Sequence, residues 1–491
     1  MTLKSAPLYA EDKPDVRPLC VDCDGTLIHT DLLFESFLQL LKLHFLRALL
    51  VPFWLLARGK AWTKLHIASL VDIDATLLPY STEVLNYIEH ARATGRTTVL
   101  ATASAQKYAD AIARHLNCFD QVLATNGDDG INLSSSNKAR KLDELFGHGG
   151  YEYLGNSHDD LPVWQSAGRI AVANASSAVQ RRASQLGEIE LVAHKPFSTL
   201  RAAVKSLRPH QWLKNLLVFI PLAMAHQITD MELVRHTVLA FLSFGLCASS
   251  VYVLNDMLDI EADRAHHRKR LRPFAAGALP IPLGVLLLAG SLVTSIILLA
   301  MLPKTFGLVM ALYYATTIAY SFRLKRQVII DIMLLSGLYT LRILAGSAAT
   351  GIVPSFWLLS FSIFIFLSLA LVKRYAEMMV IARKAKHKTA GRGYSVDDLS
   401  VLLALGAASG FSAVQVLALY INSPEVRVLY SHPQILWLIM PLMLYWISRV
   451  WLKTHRGEMH DDPVVFAAKD WQSLLIGGII ACITFAATLP F

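Results

Sequence analysis

Hydrophobic residues are distributed unevenly along the chain, and this distribution divides it into two parts. After about residue 207, long apolar segments alternate with short polar loops. Most of these segments have the ~18 or more residues needed to cross a bilayer. The pattern predicts spans near residues 212–228, 234–254, 281–301, 305–322, 328–350, 355–372, 399–421, 434–451 and 473–490. The C-terminal part is therefore predicted to be an all-α polytopic bundle of about nine transmembrane helices.

The N-terminal part alternates short apolar stretches with helical patterns. Stretches near residues 17–21, 97–101 and 151–154 each run into polar residues. Strands that alternate with helices form parallel α/β sheets, whose functional groups gather at the carboxyl ends of the strands. We expect an α/β domain over residues 1–195, a linker over 196–207 and the membrane domain over 208–491.

Composition and charge support a membrane protein. The chain has 491 residues, a net charge of +9 and a hydrophobic share of 54%, which is too high for a soluble enzyme. Basic residues are concentrated in every second loop between the apolar segments, for example at 323–326 and 373–388. This alternation follows the positive-inside rule and does not indicate a nucleic-acid partner. It predicts a multi-pass protein of the cell (inner) membrane with its N-terminal domain in the cytoplasm.

An acidic cluster follows the second apolar segment. Asp259 and Asp263 lie four residues apart, so on a helix they share a face with Asn255, and Asp256 lies beside that face. Carboxylates crowded at a membrane surface repel one another unless a cation lies between them. Oxygen ligands of this kind suit Mg²⁺, which is often held by one or two carboxylates and substrate phosphates.

The acidic cluster and two flanking motifs resemble the UbiA-type prenyltransferase superfamily. Arg208-Pro-His-Gln-Trp-Leu-Lys-Asn precedes the cluster, and Tyr320-Ser-Phe-Arg-Leu-Lys follows it. These motifs are most similar to the decaprenyl-phosphate phosphoribosyltransferase branch. The resemblance implies transfer of 5-phosphoribose from phosphoribosyl diphosphate to a polyprenyl phosphate. The catalytic Mg²⁺ ligands would be Asp256, Asp259 and Asp263.

Charged and polar side chains near or within the other apolar segments are expected to contact these substrates. Charges inside a membrane usually face the interior of the helix bundle and mark function. The candidates are Lys214, Asn255, Arg272, Tyr320, Lys325, Asp331, Arg342, Lys373 and Arg374.

Two other functions are compatible with a polytopic bundle. Aromatic-ring prenylation uses the same fold and Mg²⁺ but a prenyl diphosphate donor. In the wider superfamily a second motif carries two aspartates four residues apart, whereas Leu335 stands four residues after Asp331, which disfavours that donor. A transporter is disfavoured because transporter sites lie near the bilayer midplane, whereas the acidic cluster lies at the end of a segment.

In the N-terminal domain, Asp22 and Asp24 follow the first predicted strand and point the same way. One aspartate of such a pair can act as a nucleophile while the other transfers a proton. Together with Thr102, Lys138 and the segment 155–160, they resemble the four motifs of haloacid dehalogenase-type phosphatases. The resemblance implies a Rossmann-like domain with a helical cap near residues 31–80.

The phosphatase resemblance also implies a role for each residue. Asp22 would form an aspartyl-phosphate, and Asp24 would be the general acid and base. Thr102 and Lys138 would bind the phosphoryl group. The implied Mg²⁺ ligands are Asp22, Asp24, Asn156 and Asp160. The family usually has aspartate at position 156, so Mg²⁺ binding is expected to be weaker, and a docking module is the alternative function.

Residues 32–57 of the expected cap are rich in Leu, Phe and Trp, but Glu35, Lys42, His44 and Arg47 interrupt them. No uninterrupted run of ~18 apolar residues is available to span a bilayer. A buried cap and a cap lying on a membrane surface are both compatible with this composition.

The two resemblances together predict a two-step enzyme. The transfer product would still carry a phosphate on the ribose. A phosphatase-like domain in the same chain would be placed to remove it.

Overall fold

The computed structural model describes residues 16–127, 132–194, 197–383, 393–459 and 462–489. The chain divides into two compact units. The first unit contains Met1–Ser206 together with Val253–Leu287, and the second contains Leu207–Tyr252 together with Leu288–Phe491. The acidic cluster therefore belongs to the same unit as the N-terminal α/β domain.

A single parallel sheet is the centre of the first unit. Its strands are β1 (Leu19–Val21), β2 (Thr98–Ala105), β3 (Gln121–Thr125), β4 (Glu152–Gly155), β5 (Arg169–Ala173) and β6 (Ile189–Ala193). Their order is β3-β2-β1-β4-β5-β6, so the chain reverses its direction of winding between β1 and β4. Ligands of open α/β sheets bind at such a switch point, outside the carboxyl ends of the strands. The expected α/β fold is confirmed.

Alternating side chains of β1 explain why this strand is central. Leu19 and Val21 pack into the core on one face of the sheet, and Cys20 packs into the core on the other. All three residues are fully buried, as a strand covered on both faces requires.

The surrounding helices are Leu32–Leu43, Phe45–Ala48, Val51–Leu70, Thr82–Ala93, Gln106–Leu116, Ser136–Phe146, Leu161–Ser166, Ser177–Ser184 and Thr199–Leu207, with short 3₁₀ turns at Ala75–Leu77 and His158–Asp160.

Two helices of the first unit fall within the expected linker and the expected cap. Thr199–Leu207 is a helix within the expected linker, whereas residues 195 and 196 lie outside the described part of the chain. Leu32–Leu43, which we call the cap helix, begins at Asp31, whose carboxylate accepts hydrogen bonds from the backbone N–H groups of Leu33 and Phe34. This cap satisfies two of the donors that the first turn of a helix leaves free.

The segment 253–287 packs against the cap helix within the first unit. It contains the short helix Ile260–Arg264 and the 3₁₀ turn Lys269–Leu271. The Arg264 guanidinium donates two hydrogen bonds to the Glu35 carboxylate, of 2.9 and 2.5 Å. Gly277 has φ +69°, and a Cβ there would lie 2.4 Å from the His29 carbonyl oxygen. Only glycine allows this approach without displacement of the backbone.

The second unit is helical. Two long helices, Met231–Leu258 and Ile281–Leu299, continue from one unit into the other. The remaining helices are Pro209–Phe219 (3₁₀), Ile220–Met224, Lys304–Phe322, Leu324–Arg326 (3₁₀), Ile330–Thr350, Phe356–Arg383, Val396–Asp398 (3₁₀), Leu399–Ile421, Pro424–Leu429, Pro433–Leu438 (3₁₀), Ile439–His455, Pro463–Ala467 and Trp471–Thr488. Close packing at Gly406 and Gly410, where an added Cβ would meet Trp451 and Ile447, brings neighbouring helices together.

Eight helices among the described residues are long and apolar enough to span a membrane. They are Met231–Leu258, Ile281–Leu299, Lys304–Phe322, Ile330–Thr350, Phe356–Arg383, Val396–Ile421, Pro433–His455 and Trp471–Thr488. The difference from the expected nine lies at 212–228, where a 3₁₀ segment and a short α-helix replace one long helix. Pro221 lies near this junction, and a proline cannot donate the backbone hydrogen bond that a continuous helix would need. In the basic loop expected at 373–388, residues from 384 onward lie outside the described part.

Candidate active sites

The first candidate site lies at the carboxyl end of β1. Asp22 follows this strand and is almost fully buried. Lys138, from the helix Ser136–Phe146, donates hydrogen bonds to Asp22 Oδ1 at 2.6 Å and to the Tyr153 hydroxyl at 2.8 Å. Burial raises the pKa of Asp22 to about 6, although the positive charge of Lys138 opposes this shift. The fold thus joins the expected nucleophile and the expected phosphate-binding cation, which are 116 residues apart.

Asp24 is fixed on the same edge of the sheet by two donors. Its Oδ1 accepts a hydrogen bond from the Leu32 backbone N–H at 2.9 Å, and its Oδ2 accepts one from the Ser104 hydroxyl at 2.6 Å. Burial and the nearby carboxylate of Asp31 raise the pKa of Asp24 to about 7. Thr102 lies near the end of β2 and is fully buried, and its hydroxyl oxygen accepts a hydrogen bond from the N–H of Ser104, the residue that holds Asp24, at 3.0 Å.

Asp160 organises the loop after β4. Its Oδ1 accepts a hydrogen bond from the Tyr153 hydroxyl at 2.8 Å. Its Oδ2 accepts hydrogen bonds from the backbone N–H groups of Asn156 and Ser157, at 3.0 and 2.9 Å. Both carboxylate oxygens are therefore engaged, and Asp160 positions the side chain of Asn156. That side chain lies against Gly25, where an added Cβ would be 2.1 Å from Asn156 Nδ2.

A cavity of about 420 Å³ opens above these residues within the first unit. Asp22, Asp24, Lys138 and Asn156 line it together with Lys60 and Lys64 of the expected cap. Its volume is sufficient for a phosphorylated sugar, and its three lysines, Lys60, Lys64 and Lys138, supply positive charge for a phosphate group among several carboxylates.

The oxygen atoms around this cavity fit Mg²⁺ in part. The Asp22 carboxylate and the Asn156 amide oxygen are hard ligands, and Mg²⁺ readily adds substrate phosphate oxygens to one or two such groups. Among the described residues, no three His, Cys, Asp or Glu side chains form a ready metal-binding group. Because Asp160 is engaged with the protein, one carboxylate and one neutral oxygen are the donors we assign to the metal.

Replacing Asn156 with Asp should strengthen Mg²⁺ binding at this cavity by at least about tenfold. An added carboxylate beside a cation contributes a few kcal/mol at an effective dielectric constant of ~20. Titration calorimetry of the full-length protein with Mg²⁺ would measure the change. Asp159→Asn, which alters an exposed neighbouring carboxylate, is the control. The gain should vanish when Asp22→Asn is added, and a gain that persists would place the metal elsewhere.

The acidic cluster forms the second candidate site, and its geometry differs from the expected one. Arg272 Nη1 lies 3.1 Å from Asp256 Oδ1 and 2.7 Å from Asp263 Oδ2. Asp259 instead lies 3.7 Å from Lys42 Nζ of the cap helix. The helix Met231–Leu258 ends just before Asp259, whose backbone has φ −103° and ψ 16°. The N–H groups of Asp259 and Asp263 still donate to the carbonyl groups four residues earlier, at 3.0 and 2.8 Å, so the two carboxylates differ in their ion-pair partners.

Asp256 and Asp263 are arranged to share one cation. Both are nearly fully buried, and one guanidinium nitrogen lies between them. Burial raises the pKa of Asp263, and Arg272 partly offsets this effect. The Arg272 side chain is 30% exposed, so it can move aside for a divalent cation carrying a phosphorylated ligand. The Asn255 carbonyl oxygen accepts the helical backbone hydrogen bond from the Asp259 N–H at 3.0 Å, and the expected substrate contact of its side chain stays a prediction.

In the second unit, Asp462 joins two of the expected substrate-binding lysines. Its Oδ2 lies 2.7 Å from Lys214 Nζ and 3.1 Å from Lys373 Nζ, and its Oδ1 accepts a hydrogen bond from the Tyr339 hydroxyl at 2.9 Å. Burial alone would raise the pKa of Asp462, but Lys373 and Lys214 hold this pKa well below its usual range. Asp462 was not among the candidate residues predicted from the sequence. It could have been found because an aspartate followed by a proline, in a loop between two apolar segments, is typical of the start of a short capped helix.

Arg342 is enclosed by aromatic rings in the second unit. Its guanidinium carbon lies 5.2 Å from the ring centroids of both Phe244 and Tyr313, and 5.5 Å from that of Tyr339. Its Nε donates a hydrogen bond to Asn215 Oδ1 at 3.0 Å. These contacts hold the motif 208–215, which precedes the acidic cluster, against the interior of the helix bundle. Arg342 therefore positions Asn215.

Asp331 and Arg374 form a buried ion pair of 2.8 Å, and both side chains are at most 1% exposed. The Tyr394 hydroxyl donates a hydrogen bond to Asp331 Oδ1 at 2.6 Å, and Arg374 donates one to the Tyr320 hydroxyl at 3.4 Å. These contacts connect the helices Ile330–Thr350 and Phe356–Arg383. Asp331, Arg374 and Tyr320, three of the expected substrate-binding residues, thus contact one another, and Lys325 lies in the 3₁₀ turn Leu324–Arg326.

Replacing Arg374 with Met should destabilise the protein by about 3–5 kcal/mol, because it leaves the Asp331 carboxylate buried without its cation. Thermal unfolding of the detergent-solubilised protein would measure the loss. The double variant Asp331→Asn/Arg374→Met removes both charges and should recover most of the stability. Equal loss in the single and double variants would show that the pair contributes packing alone.

Comparison with known families identifies both parts of the chain. The UbiA prenyltransferase family matches residues 216–475, which is more than half of the chain. The chain belongs to the UbiA prenyltransferase family. Its N-terminal part is a haloacid dehalogenase-like hydrolase domain, matched over residues 19–165. Both expected families are therefore confirmed, and the helical part of this UbiA protein is a membrane domain.

Several relatives of this UbiA protein share much of its length. It is 37% identical over 468 residues to the uncharacterized protein y4nM of Sinorhizobium fredii, covering 94% of this chain and 90% of that one. It is 33% identical over 286 residues to the nodulation protein NoeC of Azorhizobium caulinodans, covering 58% of this chain and 92% of that one. It is also 39% identical over 206 residues to the decaprenyl-phosphate phosphoribosyltransferase of Mycobacterium tuberculosis, covering 40% of this chain and 66% of that one.

Proposed function

We propose that this UbiA-family enzyme transfers 5-phosphoribose from phosphoribosyl diphosphate to a polyprenyl phosphate and then removes the 5-phosphate. The observation that supports the proposal is the presence of two clusters of buried acids and bases in one chain. One cluster has the paired acids Asp256 and Asp263, in a chain that is similar over 206 residues to an enzyme named decaprenyl-phosphate phosphoribosyltransferase. The other has the Asp22–Lys138 pair beneath a charged cavity.

The transfer step needs no protein nucleophile. An oxygen of the lipid phosphate attacks the anomeric carbon of the donor, a new C–O bond forms, and the bond to diphosphate breaks. Asp256 and Asp263 would hold Mg²⁺, which when bound supplies positive charge to the leaving diphosphate. Arg272 would add a second positive charge beside these acids.

An apolar cavity in the second unit supports a lipid acceptor. Its volume is about 700 Å³. Phe361, Ile365 and Leu369 of one spanning helix and Ile439 and Met443 of another contribute to its lining. A cavity of this size and character suits part of a long isoprenoid chain, whose burial contributes about 0.8 kcal/mol for each CH₂ group.

The dephosphorylation step uses Asp22 and Asp24. An Asp22 carboxylate oxygen attacks the phosphorus of the 5-phosphate, a P–O bond to Asp22 forms, and the bond between phosphorus and the ribose oxygen breaks. Asp24 donates a proton to that oxygen. Water then attacks the phosphorus, Asp24 takes up a proton from the water, the bond between phosphorus and the Asp22 oxygen breaks, and inorganic phosphate leaves with the Asp22 carboxylate restored. Lys138 stabilises the negative charge, and Asp22 and Asn156 would hold Mg²⁺, which supplies further positive charge when bound.

We further propose that both sites face the cytoplasm. The N-terminal domain and the acidic cluster belong to one compact unit and so face one compartment. If Met231–Leu258 crosses the membrane, residues 207–230 must cross it as well. Pro209–Phe219 and Ile220–Met224 together extend about 30 Å, the thickness of the bilayer core, at ~2.0 Å per 3₁₀ residue and ~1.5 Å per α residue. The basic loops assign this compartment to the cytoplasm.

Mass spectrometry of lipids made by the purified full-length protein tests the proposed function. Supplied with phosphoribosyl diphosphate, polyprenyl phosphate and Mg²⁺, the protein should yield both the phosphorylated and the dephosphorylated polyprenyl-phosphoryl ribose. Chelation with EDTA should stop their formation, and added Mg²⁺ should restore it. A parallel reaction with a prenyl diphosphate and an aromatic acid should give no product. A prenylated aromatic product instead would contradict the proposal.

A further inference from the structure

The hairpin at residues 43–62, which we call the cap tip, exposes an unusual concentration of large apolar side chains. Leu46 is 77% exposed, Phe53 67% and Leu56 89%. The others with large exposed fractions are Leu43, Phe45, Leu49, Leu50, Leu55 and Trp62. The chain bends sharply within the cap tip at Gly59, which has φ +78° and ψ 173°. A contiguous exposed apolar surface of this kind marks an interaction site.

The charged residues of the cap tip itself are all positive. Arg47, Arg58 and Lys60 are exposed on it. No aspartate or glutamate occurs anywhere from residue 36 to residue 71. Exposed leucine, phenylalanine and tryptophan side chains interspersed with bases are typical of helices that lie in the interface of an anionic membrane. The charge pattern therefore selects a negatively charged lipid surface as the partner.

Contacts inside the first unit put the beginning of the cap tip beside the end of a membrane span. Glu35, Gln39 and Lys42 lie on one face of the cap helix, and they pair in turn with Arg264, Glu261 and Asp259. Asp259 directly follows the candidate span Met231–Leu258. Lys42, 3.7 Å from Asp259, is the residue that precedes the cap tip. The cap tip thus starts beside the end of that candidate span.

We propose that the cap tip is a docking surface for an anionic phospholipid bilayer, with its apolar side chains in the interface and its bases on the lipid phosphates. The docking rests on the exposed surface and its position, independently of any reaction. Of the two interpretations of residues 32–57, the exposed apolar side chains favour the membrane-touching cap.

Docking would also define the substrate class of the hydrolase cavity, a consequence that rests on the proposed function. Lys60 of the cap tip and Phe34 of the cap helix both line the cavity that contains Asp22. A cap seated on the bilayer would open this cavity toward phosphorylated headgroups at the membrane surface. The phosphorylated lipid made by the transfer step would then reach Asp22 with its tail still in the bilayer, whereas soluble sugar phosphates would gain no such advantage.

Fluorescence quenching in lipid nanodiscs tests the docking on the full-length protein. The exposed Cys482 is first replaced by serine, and the four other cysteines are buried. A fluorophore at Leu46→Cys should be quenched by spin-labelled lipids in nanodiscs that contain phosphatidylglycerol. The same fluorophore at Ser184→Cys, exposed on the helix Ser177–Ser184, should be quenched severalfold less. Adding Arg47→Gln and Arg58→Gln should lower the docked-to-undocked ratio on the order of 25-fold, about fivefold for each base.

Each other outcome has a definite meaning. Equal quenching at positions 46 and 184, or none at position 46, would overturn the docking. Equal quenching in neutral and anionic nanodiscs would overturn the anionic partner. Protection of position 46 by association of two protein copies, detected as a doubled particle mass, would assign the cap tip to self-association instead. None of these readouts requires catalytic activity, so they are separate from failure of the proposed function.

Discussion

Replacing Asp22 with Asn should stop the release of inorganic phosphate and leave the lipid that carries 5-phosphoribose as the final product. The substitution keeps the size of the side chain but removes the oxygen nucleophile. Loss of an enzyme nucleophile lowers turnover by several orders of magnitude, so we expect a decrease of at least about 10³-fold. The transfer step should continue because Asp256 and Asp263 are unchanged.

The Asp22→Asn variant removes the proposed nucleophile without leaving Lys138 unpaired. Lys138 stays within 3.8 Å of Asp160 when the charge of Asp22 is removed, so its ammonium group keeps a carboxylate partner. Asp72→Asn is a matched control, because that carboxylate lies in the same unit with its side chain 88% exposed. Phosphate release and lipid mass would be measured in one reaction for the three proteins. If the unaltered protein also stops at the phosphorylated lipid, the hydrolase domain acts on another substrate or serves as a docking module.

Local sequence patterns predicted much of the hydrolase site because its residues follow short buried strands. Asp22 and Asp24 come directly after β1, and the turn with Asn156 comes directly after β4. Parallel strands bring these ends together, so spacing and burial were sufficient. Thr102 lies within β2, where its hydroxyl oxygen accepts a hydrogen bond from the Ser104 N–H, and its expected role in binding a phosphoryl group stays a prediction.

The acidic cluster was harder to predict because its ion pairs depend on contacts outside the local sequence. Asp256 pairs with Asp263 through Arg272, and Asp259 pairs with Lys42 of the cap helix. The packing of residues 253–287 with the N-terminal domain also has no local signal. It depends on the Glu35–Arg264 pair, whose partners are 229 residues apart.

Replacing Asp263 or Asp256 with Asn should each lower the transfer rate by at least about 10²-fold, which is typical for the loss of one electrostatic contact to a developing charge. Both side chains are buried and share one cation, so each would supply charge to the same bound metal. The asparagine side chains keep the packing, and Arg272 keeps one carboxylate partner in each variant. The rate of labelled-ribose incorporation into lipid would measure the effect.

Asp259→Asn tests whether Asp259 contributes to the transfer step as strongly as Asp256 and Asp263. The Asp259 side chain is 30% exposed and lies 3.7 Å from Lys42 of the cap helix. Its replacement should lower the transfer rate less than tenfold, as expected for a partly exposed ion pair that contributes about 0–1 kcal/mol. Phosphate release from lipid that already carries 5-phosphoribose should be unchanged in all three variants, which would show that the first unit is intact. Equal large losses at all three aspartates would mean that Asp259 joins the metal site when substrate binds. No loss at Asp256 or Asp263 would remove the acidic cluster from the reaction.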